Sequence, residues 1–267
     1  MNLKKKRFDK IVRDIKSVKI QGARNIALAA LNAYLLDPTP KSRKILLDSR
    51  PTEPMMTYVL KMADKFPKKK ILEHFNKAQE KINKYAFSII KNNSVILTHC
   101  HSTNVANALV YAHKKGKKFQ AYVTESRPLY QGRKTAKELR KAGIPVTMFV
   151  DSAVNVALSG KKKADMVFIG ADALLRRGII NKIGSGLLAK IARQEKVPFY
   201  IIADSWKFTK ANVPIEQRPL NEIWDRAPKN IKIKNPAFEF VPKKYITRII
   251  SELGILKYDL FARKVKK

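Results

Sequence analysis

The chain has 267 residues, 45% of them hydrophobic, enough for one large domain or two small ones with a sizeable core. No run approaches the roughly 18 apolar residues of a membrane span. No apolar stretch follows the Lys-rich start Met1 to Lys10 as a signal peptide would require, and one cysteine excludes an internal disulfide, so a cytoplasmic protein is expected.

The formal net charge is +35, from 56 Lys and Arg against 21 Asp and Glu. Such a balance favours anionic partners, phosphorylated metabolites and RNA among them. The lysines are dispersed, however, as in Lys4-Lys5-Lys6, Lys68-Lys69-Lys70, Lys161-Lys162-Lys163 and Lys266-Lys267. No ladder of stacking aromatics accompanies them. Nucleic acid is therefore expected only through a non-specific basic surface, and a membrane partner is not expected.

Residues 1–92 read as helices. Ile11, Ile15 and Val18 recur at helical spacing. Ala27 to Leu36 is a run of helix formers stopped by Asp37-Pro38-Thr39-Pro40. A helix from Ser42 should stop near Arg50-Pro51, because the residue before proline disfavours the α region, and another should begin near Thr52. Lys70 to Lys91 carries Ile71, Phe75, Ile82, Phe87 and Ile90 as one long amphipathic helix.

From Ser94 the period changes. Short apolar runs at Val95–Leu97, Phe119–Val123, Val146–Val150, Met166–Ile169 and Phe199–Ile202 read as strands. Helical stretches at Asn104–Lys114, Arg133–Lys141, Ala153–Leu158 and Gly184–Glu195 separate them. That alternation implies βαβ units and a parallel sheet, an α/β fold whose strand order stays open. Residues 209–243 hold Pro214, Pro219, Pro228, Pro236 and Pro242 and are expected to wrap the sheet or to make an oligomer contact. Ile231-Lys232-Ile233 alternates as a strand would, and Tyr245 to Leu253 reads as a helix ended by Gly254.

Each of the five strands runs into a polar cluster: Thr98-His99-Cys100-His101-Ser102, Thr124-Glu125-Ser126-Arg127, Asp151-Ser152, Gly170-Ala171-Asp172 and Ala203-Asp204-Ser205. In an open parallel sheet the ligand crevice lies beyond the carboxyl ends of the strands. Cys100 stands just ahead of a helix that Ser102 or Thr103 could cap, where a cationic surrounding lowers a thiol pKa. Its alternative is a buried small hydrophobe. Asp172 closes a later strand, and thiolate and carboxyl on neighbouring strand ends make an acid/base pair. Alone, Asp172 would read as a cap or turn residue. Arg127, Arg133, Lys134 and Lys182 are placed to bind phosphate oxygens at the same edge. Gly132, Gly170 and Gly184 would admit a ligand close to the backbone.

Strand alternation would point His99 and His101 away from Cys100, and His74 and His113 show no ligand spacing, so no metal is expected. The Gly-x-Ser-x-Gly elbow of a hydrolase and the Gly-x-Gly-x-x-Gly of a dinucleotide site are both missing, and no cofactor is expected.

The four ordered motifs Thr98-His99-Cys100-His101-Ser102, Thr124-Glu125-Ser126-Arg127-Pro128 with Gln131-Gly132, Gly170-Ala171-Asp172, and Asn181-Lys182-Ile183-Gly184 resemble one superfamily. It holds archaeal ribose-1,5-bisphosphate isomerase, methylthioribose-1-phosphate isomerase and the alpha, beta and delta subunits of translation initiation factor 2B. The resemblance runs from about Val12 to about Asp259. It implies a helical N-terminal domain over 1–92 followed by a Rossmann-like α/β catalytic domain over 93–267. It implies catalysis by Cys100 and Asp172, a pair that the initiation-factor subunits typically lack. His101-Ser102, Ser126-Arg127-Pro128 and Lys134-Thr135-Ala136-Lys137-Glu138-Leu139 resemble the ribose bisphosphate branch, an aldose–ketose isomerase of nucleotide (AMP) salvage. The two alternatives are methylthioribose-1-phosphate isomerase and a non-catalytic initiation-factor-like subunit.

The resemblance further implies a homo-oligomer, dimer or hexamer, and a phosphorylated sugar held at two ends. Gly22, Ala23 and Arg50 would serve one end, and Arg127, Gln131, Gly132, Lys134, Asn181 and Lys182 the other. Cys100 would exchange the carbon proton and Asp172 the oxygen proton. The pattern departs from the family at Gln21-Gly22-Ala23-Arg24, where the arginine of an Arg-Gly-Ala motif is replaced by Gln21, and in a helical part shorter than usual. Arg50-Pro51-Thr52 keeps the second arginine motif.

Overall fold

The computed structural model describes residues 3–265; Met1, Asn2 and the Lys266-Lys267 pair lie outside the described residues. Five helices come first: α1 (Leu3–Lys16), α2 (Ala23–Tyr34), α3 (Pro40–Ser49), α4 (Pro54–Met62) and α5 (Lys68–Ile89). The proline punctuation acts as expected. Thr39 caps α3 by accepting the Ser42 N–H at 3.1 Å, and Pro40 occupies the first turn, where its missing N–H costs nothing. Ile15, Ile26, Leu31, Leu46, Met55, Met56, Leu60, Ile71 and Phe75 form the helical core.

The long helix α5 serves two cores. Ile71 and Phe75 near its start pack among the helices, whereas Ile82 and Ala86, with Ile90 just beyond its end, pack under the sheet.

Then follow β1 (Ser94–Thr98), α6 (Thr103–Lys114), β2 (Phe119–Thr124), α7 (Gln131–Lys141), β3 (Val146–Phe149), α8 (Val154–Leu158), β4 (Met166–Ile169), β5 (Ala173–Leu175), β6 (Gly178–Lys182), α9 (Ser185–Gln194), β7 (Phe199–Ile202), β8 (Phe238–Pro242), β9 (Arg248–Ser251), β10 (Gly254–Leu256) and α10 (Tyr258–Lys264). The main sheet has seven strands in the order β10-β9-β7-β4-β1-β2-β3. All pairings are parallel except β10 with β9. Apolar cores cover both faces, which is why its inner strands read as unbroken apolar runs.

From β1 the chain steps to β2 and β3 on one side, then returns to β4 on the other. The reversal lies between β1 and β4, where an open α/β sheet places its ligand crevice. A second, antiparallel sheet, β5-β6-β8, stands beyond the end of β4.

Two sequence expectations fail in the last third. Tyr245–Leu253 is not a helix: after a short helical turn at Lys243–Tyr245 it enters β9, parallel to β7. Ile249 and Ile250 are buried on opposite faces of the sheet, so the segment lacks the alternation that marks a half-exposed strand. Ile231-Lys232-Ile233 is not a strand; the segment that pairs with β6 is β8, seven residues after Ile231, and Ile231 is exposed.

Candidate active site

Cys100 lies two residues beyond β1 and two before Ser102, the residue that caps α6. Its backbone is left-handed, with φ of 66°, a conformation that costs free energy in a residue with a Cβ. Three side chains hold it there. The Cys100 N–H donates to Ser126 Oγ at 2.7 Å, and its carbonyl accepts from Thr135 Oγ1 at 2.9 Å. Ser126, also left-handed, donates its own N–H to Asp151 Oδ1 at 2.8 Å. Behind them His99 is buried, with Nε2 2.8 Å from the Ile183 carbonyl and Nδ1 2.6 Å from Thr124 Oγ1. A carbonyl only accepts, so the proton sits on Nε2 and Nδ1 takes the threonine hydroxyl. Burial lowers the His99 pKa and keeps the ring neutral.

Asp172 follows β4, the strand adjacent to β1, and is half-buried. Cys100 and Asp172 line one cavity, and the field of Asp172 is felt at the thiol. Gly22, Ala23, Arg50, Gln131, Lys134, Asn181 and Lys182 line the same cavity, which is therefore walled by both the helical part and the sheet edge.

Arg127 and Gly132 do not line it. The Arg127 guanidinium points at the Glu222 and Ile223 carbonyls and lies over the Tyr130 ring, 4.9 Å from its centroid. Only its backbone N–H supports the site, donating to Asp151 Oδ2 at 2.6 Å. Gly132 is tight against protein, not ligand: a Cβ there would sit 1.7 Å from the Thr124 carbonyl oxygen. A Cβ on Gly184 would likewise meet the His99 ring, whereas Gly170 does line the cavity. Arg133 pairs with Glu125 and stays outside, and Arg24, though at the cavity wall, spends its guanidinium on Asn76 at 3.0 Å.

His101 shares the cavity with Cys100, contrary to strand alternation, because the chain has already left the strand at Cys100. The Asp204 cluster does not reach the cavity. Asp204 stands 3.3 Å from His74, whose ring stacks on Trp206 at 3.5 Å, and Glu252 is close by. Both carboxylates already accept backbone N–H groups, from Trp206 and Ser205, so this cluster bolts α5 to the sheet.

The thiol differs most from expectation. Burial pushes the Cys100 pKa up to about 11; Lys182 opposes the shift, and Asp172 adds to it. At neutral pH Cys100 is a thiol, not a thiolate. Burial also raises the Asp172 pKa, helped by Glu216 and opposed in part by Lys207, Lys182 and Arg50, and the net direction is upward. Since Cys100 is the sole cysteine, whole-protein mass after iodoacetamide reads it directly. We expect alkylation at pH 8 to be roughly a hundredfold slower than that of a free cysteine and to accelerate up to about pH 11. Alkylation at the free-cysteine rate would contradict the protonated state.

Several site residues escaped sequence reading. Lys207 is buried and donates to the Ala171 carbonyl at 2.6 Å, bracing the turn that carries Asp172. Arg218, from the proline-rich segment, and Glu53, one turn after Arg50, also face the cavity. No local pattern marks them, because each arrives through tertiary packing; only the position of Glu53 beside Arg50-Pro51-Thr52 could have flagged it.

The chain is similar to known proteins in sequence and in fold. A protein named ribose 1,5-bisphosphate isomerase, from Methanocaldococcus jannaschii, is 35% identical over 290 residues, spanning 96% of this chain and 92% of the relative. A methylthioribose-1-phosphate isomerase from Pelotomaculum thermopropionicum is 38% identical over 203 residues, but spans 68% of this chain and 56% of the relative. The crystal structure of Pyrococcus horikoshii translation initiation factor eIF-2B superposes with a TM-score of 0.82 at 26% identity, covering 94% of this chain and 97% of that one. The model of the initiation factor 2 subunit family matches residues 44–258, from α3 through β10. By sequence and by overall fold, the chain belongs to the initiation factor 2 subunit family.

Proposed function

We propose that this chain is an aldose–ketose isomerase that converts ribose 1,5-bisphosphate to ribulose 1,5-bisphosphate. One observation carries the reading: Cys100 and Asp172, from adjacent strand ends at the point where the sheet reverses direction, open into one cavity walled by Arg50, Lys182, Lys207 and Lys134. Likeness to a ribose 1,5-bisphosphate isomerase over nearly the whole chain favours that substrate over methylthioribose 1-phosphate, for which the likeness stops at about two thirds.

The raised Cys100 pKa supports the reverse of the assignment expected from sequence. A thiol with a pKa near 11 is an acid, so Asp172 is the base. The Asp172 carboxylate takes the proton from carbon 2. The C–H electron pair forms the bond between carbons 1 and 2, and the bond from carbon 1 to the ring oxygen breaks. Cys100 gives its proton to that leaving oxygen. The enol phosphate so formed has a hydroxyl on carbon 2. The thiolate takes the hydroxyl proton, the carbonyl forms, and the Asp172 acid protonates carbon 1. Both groups end as they began.

Cations at the two ends hold the phosphates. The N-terminus of α2 at Gly22-Ala23, without a side-chain cap, and Arg50 line the cavity and would hold one phosphate. Gln131 and Lys134 on α7, with Asn181 and Lys182 on β6, line the same cavity and would hold the other. Cys100 and Asp172 are both half-buried, which limits competing water.

The same reading places the domain boundary near residue 92, with α5 contributing to the cores on both sides. Exposed Ile215, Leu220, Ile223 and Trp224 support a homo-oligomer contact through the proline-rich segment. No helix among the described residues is long and apolar enough to cross a membrane, in keeping with a cytoplasmic enzyme.

Ribose 1,5-bisphosphate and methylthioribose 1-phosphate, offered side by side, test the proposal. Formation of ribulose 1,5-bisphosphate from the first, with little turnover of the second, is expected. Efficient turnover of the second, or inertness toward both in folded protein, would overturn it.

A further inference from the structure

Glu53 lies at the wall of the catalytic cavity, yet no step above uses it. It is 3% exposed, and its Oε2 has no hydrogen-bond partner among the described residues. Arg50, on the same turn and 8% exposed, has an Nε without a hydrogen-bond partner among the described residues. A buried polar atom left unpaired costs about 1–3 kcal/mol. Both residues line the same cavity, where a bound ligand would supply the missing partners.

The sign of that ligand follows from the neighbours. Asp172 after β4 and Glu216 in the proline-rich loop bring negative charge toward Glu53, against Arg50 before α4 and Lys207 after β7. Arg50 is itself paired with Glu216 at 2.8 Å. An ionised Glu53 would add a third carboxylate and repel an anion that Arg50 attracts. A neutral Glu53 presents an O–H. One anionic oxygen could then accept from Arg50 Nε and from Glu53 together.

We propose that Glu53 is a further substrate-binding residue, a neutral carboxylic acid that donates a hydrogen bond to an anionic oxygen beside Arg50, so that ligand binding requires a proton on Glu53. The inference rests on the reading of the cavity as a site for a phosphorylated sugar, but on its anion-binding character only. Burial and the field of Asp172 support it, raising the Glu53 pKa to about 8. The acid is neutral below that value and ionised above it, so affinity is present below about pH 8 and lost as pH rises.

Inorganic sulfate is the probe, because its charge is constant over this range and any pH dependence belongs to the protein. Calorimetry of the wild-type protein in two buffers of different ionisation enthalpy should show uptake of up to one proton near pH 8. Affinity should fall about tenfold per pH unit above that. In Glu53→Gln, which keeps a donor and cannot ionise, the affinity should stop falling between about pH 7.5 and 9.5. Flat wild-type affinity without proton uptake would overturn the proposal. So would an unchanged pH slope in the Gln variant, which would assign the titration to Asp172, or equal loss of affinity at every pH, which would make Glu53 an acceptor for a sugar hydroxyl. Since sulfate is not a substrate, failure of the isomerase assignment would appear in the turnover assay and leave this result readable.

Discussion

Asp172→Asn should abolish isomerisation while leaving the fold intact. The amide keeps the shape of the side chain and loses the base, and loss of a general base costs about 10²–10⁴-fold. The backbone at Asp172 is held independently of its side chain, by its N–H to the Ile180 carbonyl at 2.9 Å and by Lys207 on the Ala171 carbonyl. Circular dichroism and melting should therefore stay near wild type. Cys100→Ser should be as inactive for a different reason: a serine hydroxyl is a far weaker acid toward the leaving ring oxygen. The left-handed turn at position 100 is fixed by backbone bonds to Ser126 and Thr135, which serine preserves. Wild-type formation of ribulose 1,5-bisphosphate by either variant would remove the pair from the mechanism.

Gly132→Ala should be the most disruptive conservative change in the site region. Its new Cβ would lie 1.7 Å from the Thr124 carbonyl oxygen, and both partners are backbone, so neither can rotate aside. Overpacking typically costs about 1–3 kcal/mol, and a clash this deep should cost about 3 kcal/mol or more. The damage should spread, because α7 would have to move off the end of β2, shifting Gln131 and Lys134 at the cavity and Thr135 under Cys100. We expect both a lower melting temperature and a loss of turnover. A variant as stable as wild type would show that the close approach of α7 to β2 is not required.

The sequence discloses what local chemistry encodes. Proline signals placed α3 to within two residues at its start, the apolar runs gave the parallel strands, and polar clusters at strand ends drew attention to Cys100 and Asp172. That the two lie on adjacent strands needed the order β4-β1-β2, which no local pattern carries. The misreadings have the same root. Arg127 looked like a phosphate ligand by charge, but the turn at Tyr130 and the carbonyls of Glu222 and Ile223 claim its guanidinium. The position of Cys100 ahead of a helix suggested a lowered thiol pKa; desolvation, visible only in three dimensions, outweighs it. The β9 segment read as a helix because sheet cores bury it on both faces.

The loss of deuterium from carbon 2 of labelled ribose 1,5-bisphosphate, followed in wild type and in Asp172→Asn, tests the central claim most directly. We predict that wild type removes the label from carbon 2 as ribulose 1,5-bisphosphate forms, and that Asp172→Asn leaves it in place on unconverted substrate. Removal by the variant at the wild-type rate would contradict the assignment of Asp172 as the base.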